Sequence, residues 1–197
     1  MDLGFETMIY EKIAGRRTIR KYVRRDIPRN VFIRCVDAAR LSPSSMNLQP
    51  LKYIIVNDQT LLEKVFSTLK WAGYLPDYQP SRDEMPRGYI IILLDKEIRM
   101  SYGVDPGIAA MSISMVAYEE GLGSCILGAI DKPKLRRILN IPESLEIVLV
   151  VALGYPAEKP IVDKVKDGVI KYWLDDAEVL HVPKRNLEDI LKWNGYV

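Results

Sequence analysis

Two arginines flank a threonine near the start of the chain, in the order Arg16, Thr18 and Arg20. In an extended segment every second side chain points to the same side, so these three groups would face one ligand together. A guanidinium group is a planar fork of donors that matches the oxygens of a phosphate or a carboxylate. The spacing therefore predicts an anion site, and the alternative is a solvated basic loop.

Basic residues are concentrated around this motif, although the net charge of the whole chain is only +2. The acidic residues beside them are Glu11 and Asp26. Such a cluster attracts phosphate groups by charge and by hydrogen bonding. Its nine members are Lys12, Arg16, Arg17, Arg20, Lys21, Arg24, Arg25, Arg29 and Arg34.

Two further groups of polar donors lie elsewhere in the chain. The loop from Leu41 to Pro50 is dense in hydroxyl and amide groups and runs between prolines, so its side chains can contact a polar, ring-bearing ligand. Lys184 and Arg185, near the C-terminus, are again a pair of the phosphate-binding type. For that pair the alternative is an ordinary exposed position.

The chain has one histidine, His181, in a charged segment. A multi-histidine metal site is therefore excluded, and a Ser-His-Asp triad would depend on this residue alone. We expect no metal, no hydrolase and no catalytic side chain, so that any redox or transfer chemistry would rest on a bound cofactor. Cys35 and Cys125 have apolar neighbours and no metal-ligand spacing, which predicts reduced core thiols in a cytoplasmic protein.

A helix, a glycine turn and a short strand are predicted between Asp105 and Ala129. Pro106 can start the helix, and the residues up to Ala117 are small or apolar, so this helix belongs in a core or a subunit interface. The two glycines of the turn, Gly121 and Gly123, are expected to supply positive φ angles. Cys125–Leu127 follows as a buried strand, and Gly128 would leave its backbone open to a ligand. A plain core helix and core strand are the alternative.

The rest of the pattern predicts one domain over residues 1–197. Buried strands are predicted at Tyr53–Val56, Tyr89–Leu94 and Leu145–Leu153. Helices are predicted at Phe5–Ala14, after Pro28, after an Asp58 cap, from Asp131 to Leu139, and from Leu187 to Trp193 with Asn186 as its cap.

Two segments depart from this core. Residues 70–87 have no period and contain Trp71, Tyr74 and Tyr78, so they are either a lid over a ligand or an excursion that these aromatics pin down. Ala157 to Asp176 is charged and poor in core residues, and is expected to wrap the surface or to reach a neighbouring subunit.

Membrane attachment and export are not expected. No apolar run reaches the roughly 18 to 20 residues that a membrane span needs. The acidic start, Met1 to Glu6, lacks the basic region and apolar core of a signal peptide.

Taken together, three motifs resemble the FMN-dependent nitroreductase family over nearly the whole chain. The family pattern Arg-Arg-Ser-x-Arg-x-Tyr or Phe matches residues 16–22, with Thr18 in place of serine. The pattern Pro-Ser-x-x-Asn-x-Gln-Pro-Trp matches residues 43–51, with Leu51 in place of the aromatic. The pattern Gly-Leu-Gly-x-Cys-Trp-Ile-Gly matches residues 121–128, with Ile126 in place of tryptophan. The endings Ala152–Pro156 and Pro183–Arg185 are also similar to the family.

The resemblance implies an α+β fold with a mixed central sheet flanked by helices, in an intertwined homodimer. FMN would lie at the interface, NAD(P)H would reduce it, and a nitro compound, quinone or similar acceptor would be reduced in turn by a ping-pong mechanism. Residues 157–197 would form a C-terminal tail that reaches the partner subunit. A lid role for Trp71, Tyr74 and Tyr78 stays a hypothesis.

The same resemblance implies which residues contact the cofactor. Arg16, Thr18 and Arg20 would hold the phosphate and part of the ring, with Arg17 in the same motif, and Lys184 or Arg185 would complete the phosphate site. The flavin ring would be lined from the partner chain and from the end of the short strand by Pro43, Ser44, Ser45, Asn47, Leu127 and Gly128.

Three other functions are compatible with parts of the pattern. The same scaffold hosts reductive dehalogenases and a flavin-fragmenting enzyme, and a flavin carrier without turnover is a further alternative. A nucleic-acid-binding protein would use the basic cluster, but acidic residues elsewhere and the absence of a nucleic-acid motif argue against it. Binding of such a protein to nucleic acid should weaken steeply with salt.

Overall fold

The computed structural model describes residues 4–196, with side chains described from Ile9 onward. The first residues of the predicted acidic start and the last residue of the predicted domain lie outside these bounds. The helices are α1 (Gly4–Gly15), α2 (Arg29–Leu41), α3 (Gln59–Phe66), α4 (Asp105–Glu119), α5 (Lys132–Leu139) and α6 (Leu187–Ile190). The strands are β1 (Leu51–Val56), β2 (Gly88–Asp95), β3 (Gly123–Leu127), β4 (Leu145–Gly154), β5 (Ile161–Lys164), β6 (Trp173–Leu174) and β7 (Leu180–Lys184).

The two most apolar strands, β2 and β4, form the centre of a four-stranded sheet with the order β1-β2-β4-β3. Successive residues of β2 are buried on both faces of the sheet, which is why the strand is an almost unbroken run of Ile and Leu. Ile90 and Ile92 pack with α2 and α4, whereas Ile91 and Leu93 pack with α3 and α5. The α+β class is thereby confirmed, with helices on both faces of the sheet.

The pairing within this sheet differs from the expectation. Each pair of neighbouring strands, β1–β2, β2–β4 and β3–β4, is antiparallel. The mixed pairing occurs instead in a second, three-stranded sheet of order β5-β7-β6, where β5 runs parallel and β6 antiparallel to β7. The prediction of a mixed central sheet is therefore wrong for the single chain, whose central sheet is antiparallel.

Helix α4 behaves as its composition predicts. Ala109, Ala110, Ile113 and Ala117 are buried against α2 and the sheet, and no residue from Ile108 to Ala117 is fully exposed. Small side chains along this face let the two helices approach closely. The predicted cap at Asp58 and the predicted helix start at Asp131 are confirmed, because both carboxylates accept hydrogen bonds from backbone N–H groups in the first turn of their helices.

Two local predictions are wrong. Asn186 makes no capping hydrogen bond to the backbone of α6, and that helix ends at Ile190 because Leu191 is extended. In the turn after α4 only Gly121 has a positive φ, of 75°. Gly123 lies in regular strand β3, so the reason for a glycine there is not its backbone angle.

Gly123 is a glycine because another segment of the chain passes close to its Cα atom. That segment, residues 16–22, carries the arginines and is called the arm below. Gly123 and Gly154 face each other across β3 and β4. A Cβ atom on Gly123 would lie 2.6 Å from Ile19, and one on Gly154 would lie 2.6 Å from Tyr22. Both arm residues are buried, so the glycine pair forms the flat surface on which the arm rests.

Within the described residues no helix is long and apolar enough to cross a membrane.

Gly123→Ala and Gly154→Ala should each lower the free energy of unfolding by about 1 to 3 kcal/mol, because the added methyl group overpacks against Ile19 or Tyr22. Denaturant titration measures this change. Gly73→Ala is the matched control, since a Cβ atom there has no neighbour within 4 Å. If Gly123→Ala proved as stable as Gly73→Ala, the arm would not be docked on the glycine pair.

Candidate functional site

The arm lies along the edge strand β3 and is fixed by its backbone. Ile19 N donates to Ser124 O at 3.0 Å, and Tyr22 N donates to Glu84 O at 3.0 Å. The chain around Tyr155 holds the other side, because Val23 N donates to Tyr155 O at 2.8 Å. These bonds fix the backbone from Ile19 to Val23, and Arg16, Thr18 and Arg20 are half-buried on the same segment.

Four of the nine basic residues of the N-terminal cluster form ion pairs with nearby acids, and two more make other contacts. The guanidinium of Arg17 donates to the backbone carbonyls of Ala14 and Arg16 at the end of α1, and Arg25 lies over the ring of Tyr155. The ion pairs are Lys12–Glu119, Lys21–Glu84, Arg24–Asp83 and Arg34–Glu120.

Arg16 and Arg20 differ from the rest of the cluster. Both are half-buried, and the Nε atom of each is buried without a hydrogen-bond partner in the described part of the chain. The hydroxyl of Ser124, on β3 beside the arm, is buried and likewise without a partner. An unpaired buried donor costs free energy, and these three lie on the arm and on the strand beside it, where a polar ligand would pair them.

The electrostatics of this place favour an anionic ligand. Burial, and next the charge of Arg17, lower the pKa of Arg16. Burial raises the pKa of Cys125 to about 11, and the charges of Arg20 and Arg16 oppose that rise. Cys125 is therefore a neutral thiol beneath two guanidinium groups, and it supplies no counter-charge to them. A negatively charged ligand would reduce the cost of holding these two charges in a half-buried place.

A carboxylate that the sequence did not single out supports the arm. Glu158 accepts hydrogen bonds from the backbone N–H groups of Arg20 and Lys21, and from the hydroxyl of Tyr78. Burial raises the pKa of Glu158. Because Glu158 binds the backbone of the arm, it fixes the arm's position and leaves the guanidinium group of Arg20 free for a ligand.

The polar loop lies in a different part of the chain. Ser44 lines a cavity of about 130 Å³ together with Tyr53 and Asp105. No residue of the arm lines this cavity. Three residues of the loop that are not glycine, Met46, Asn47 and Gln49, have φ angles of 55°, 56° and 52°. Such angles cost on the order of 1 kcal/mol each and often mark a functional loop.

The remaining predicted residues are placed as follows. Leu127 is buried, whereas Gly128 is exposed at the end of β3. Lys184 and Arg185 are exposed at the end of β7, and Lys184 lies opposite Lys164 of β5. Among residues 9–196, no hydrogen bond or ion pair joins Lys184 or Arg185 to the arm. A single chain therefore brings together the arm and β3, and leaves the other two donor groups apart from them.

Of the three aromatics in residues 70–87, Trp71 and Tyr78 are buried in the core. Tyr74 is half-exposed, and its ring lies 5.0 Å from the ring of Tyr172. The guanidinium of Arg20 lies 5.0 Å from the centre of the same Tyr172 ring. Tyr74 is thus the member of the three that remains available to a ligand near Arg20, and the lid stays a prediction.

Both ring nitrogens of His181 are hydrogen-bonded to acidic side chains. Its Nδ1 lies 2.5 Å from Asp163 and its Nε2 lies 3.2 Å from Asp175, while Trp173 stacks on the ring at 4.0 Å. The hydrogen bond with Asp163 is the main cause that raises the pKa of His181. Both ring nitrogens are engaged, so this side chain holds the small sheet together and does not act as a free base.

Comparison with known proteins gives the same family as the motifs. The model of the nitroreductase family matches residues 13–155. A protein of Methanothermobacter thermautotrophicus, whose name combines NADH dehydrogenase and NAD(P)H nitroreductase, is 31% identical over 77% of this chain and 79% of its own length. An iodotyrosine deiodinase of Thermotoga neapolitana is 24% identical over 76% of this chain and 89% of its own.

A solved structure supports the fold. The FMN-dependent nitroreductase of Clostridium difficile R20291 superposes with a TM-score of 0.67, at 23% identity, over 94% of this chain and 98% of that chain. At this identity the likeness concerns the fold alone. The family match, by contrast, covers most of the chain and includes the arm, the polar loop and β3. The chain belongs to the nitroreductase family of FMN-dependent oxidoreductases.

Proposed function

We propose that this protein is an FMN-dependent NAD(P)H oxidoreductase that reduces nitro compounds, quinones or similar acceptors. The observation that carries the proposal is the pair of half-buried arginines, Arg16 and Arg20, each with an unpartnered Nε beside β3. Charged donors of this kind are expected where a phosphate or a polar ring edge completes their hydrogen bonds. FMN has both groups.

The residues present fit this cofactor. Arg16, Thr18 and Arg20 would hold the phosphate and part of the ring, and the buried hydroxyl of Ser124 adds a donor at the same place. The exposed backbone of Gly128 would face the ring, and Lys184 or Arg185 would complete the phosphate site. When bound, the flavin supplies the hydride and electron transfer, so the protein's part is to position it and tune its surroundings.

The proposal places FMN at the interface of a homodimer. In one chain the polar loop lies apart from the arm, so Pro43, Ser44, Ser45 and Asn47 would reach the flavin from the partner subunit. Apolar side chains left exposed in the single chain support a second copy: Ile9, Tyr10 and Ile13 on α1, and Leu187, Ile190 and Trp193 near the C-terminus. Residues 157–197 would contribute to this interface.

Reductive dehalogenation is the second candidate function. It is favoured by the relatives named iodotyrosine deiodinase, of which the one from Thermotoga neapolitana covers most of this chain. Assays of the flavin-loaded enzyme with a nitroaromatic compound and with an iodotyrosine, under the same reducing conditions, distinguish the two. Release of iodide faster than reduction of the nitro compound would favour dehalogenation.

Arg16→Ala and Arg20→Ala should each weaken FMN binding about tenfold or more, because a charged hydrogen bond contributes roughly 1.5 to 3 kcal/mol. Titration of apoprotein with FMN, followed by quenching of flavin fluorescence, measures the dissociation constant. Arg24→Ala is the matched control, since this arginine of the same cluster is exposed and paired with Asp83. Unchanged affinity in both arm variants would show that the arm does not hold the cofactor.

The protein should be an obligate dimer whose interface exceeds roughly 2,000 Å², as expected for subunits that cover large apolar surfaces. The mass of one chain is 22.5 kDa. Sedimentation velocity at low micromolar concentration should give a single species with twice that mass. A stable, flavin-loaded monomer under these conditions would contradict the interfacial site.

The reaction should follow ping-pong kinetics. The sequence has no glycine-rich dinucleotide fingerprint after a strand, so reductant and acceptor would use the same face of the site in turn. Initial rates at several fixed acceptor concentrations should then give parallel double-reciprocal lines. Converging lines, together with a complex that holds both substrates at once, would mean that they occupy separate sites.

A further inference from the structure

The polar loop has a conformation that its own sequence does not favour. Left-handed backbone angles at Met46, Asn47 and Gln49 occur without a glycine at any of the three positions. Local hydrogen bonds close the turn, with Asn47 N donating to Ser44 O at 2.9 Å and Gln49 N donating to Ser44 Oγ at 3.0 Å. A conformation of this kind persists only where surrounding structure holds it.

The ends of this loop are tied to the fold by Ser42, which hydrogen-bonds to Ser112 of α4, and by Pro50, whose O accepts from Asp95 N. The middle of the loop is held by Asp105, the first residue of α4. Its Oδ1 accepts a hydrogen bond from Ser45 N at 3.1 Å, across 60 residues of sequence. The side chain of Asp105 is 1% exposed, and its Oδ2 lies 3.9 Å from a guanidinium nitrogen of Arg99. The positive end of α4 also favours a carboxylate at this position.

Burial of the Asp105 carboxylate costs free energy unless other groups compensate for its charge. Oδ2 of Asp105 has no hydrogen-bond partner within the described residues, so the ion pair with Arg99 is not a close one. The hydrogen bond that Asp105 does make is to the backbone of the loop. It leaves the hydroxyl group of Ser45 and the side-chain amide of Asn47 available to a ligand, while the Ser44 hydroxyl accepts from Gln49 N.

We propose that Asp105 is a positioning residue for the flavin: it holds the Ser44–Gln49 loop in the strained conformation in which the loop lines the ring of the partner subunit's cofactor. This inference rests on the proposed function, because it needs the loop to contact the flavin. Asp105 acts by accepting the hydrogen bond from Ser45 N and does not itself contact the cofactor. Nothing in the local sequence around Asp105, which opens a helix like other acids in the chain, marks this role.

The test compares two aspartates that each open a helix. Asp105→Ala removes the contact with the loop, and Asp131→Ala removes the cap of α5, where Asp131 accepts from Lys134 N at 3.0 Å. Both variants lose a carboxylate from the N-terminal end of a helix. At a temperature well below both melting transitions, Asp105→Ala should bind FMN about tenfold more weakly than the unmutated protein. Its bound flavin should also show a shifted visible absorption maximum, and Asp131→Ala should change neither property.

A second pair of variants tests the same hydrogen bond from the loop side and leaves α4 intact. Ser45→Pro removes the backbone N–H that donates to Asp105, and the extended Ser44 before it tolerates a proline. Ser45→Ala removes the hydroxyl and keeps the N–H. FMN binding should be weaker in Ser45→Pro than in Ser45→Ala, and this comparison decides the matter if Asp105→Ala does not fold.

Two results would overturn the inference alone: FMN binds to Asp105→Ala as tightly as to the unmutated protein, or Ser45→Pro and Ser45→Ala bind it equally. In both cases the unmutated protein still binds FMN, so the proposed function stands. Failure of the unmutated protein to bind FMN would overturn the proposed function and, with it, this inference.

Discussion

The docking of the arm on β3 and β4 is the constraint on which the candidate site depends. Ile19 and Tyr22 are buried against a pair of glycines that face each other across two strands, and no larger residue fits beneath them. These two anchors fix the backbone course of the arm, on which Arg16 and Arg20 are half-buried. Their guanidinium groups are held half-buried beside Ser124 with donors left over, which is an arrangement that a bound anion stabilises.

Two carboxylates position the parts of the site by binding backbone. Glu158 accepts from the N–H groups of Arg20 and Lys21, and Asp105 accepts from the N–H group of Ser45. Glu158 binds the backbone of Arg20 and not its guanidinium group, so it does not neutralise that charge by an ion pair, whereas Asp105 lies 3.9 Å from a guanidinium nitrogen of Arg99. Elsewhere in the N-terminal cluster this neutralisation does occur, as in Lys12–Glu119 and Arg34–Glu120. Within this cluster Arg16 and Arg20 are distinguished by their buried Nε atoms that have no partner in the described part of the chain.

The sequence predicts the parts of the fold that local rules determine. The cap at Asp58, the helix start at Asp131, the buried helix after Pro106 and the apolar central strands follow from periodicity and residue type. The predictions fail where a distant contact decides. Gly123 is needed for the close approach of Ile19, about a hundred residues earlier in the chain, and not for a turn. The mixed central sheet is not formed within one chain.

Sequence reasoning missed two residues of the candidate site for the same reason, because contacts between distant parts of the chain determine their roles. Glu158 meets Arg20 across 138 residues, and it lies in a charged segment where no pattern distinguishes it from its neighbours. Ser124 is a small polar residue in a strand, and only its burial without a partner draws attention to it. The motif residues Arg16, Thr18 and Arg20, by contrast, are close in sequence, so a shared site can be proposed from their alternate spacing, and their joint contact with a ligand stays a prediction.

The central claim is that the arm's arginines bind the phosphate of FMN, and a cycle of two ligands and two proteins tests it most directly. The dissociation constants of FMN and of riboflavin, which lacks the phosphate, are measured for the unmutated protein and for the double variant Arg16→Ala, Arg20→Ala. In the unmutated protein the phosphate should improve binding about a hundredfold, and in the double variant most of that gain should be lost, since groups in contact show a coupling free energy. An equal gain from the phosphate in both proteins would contradict the account.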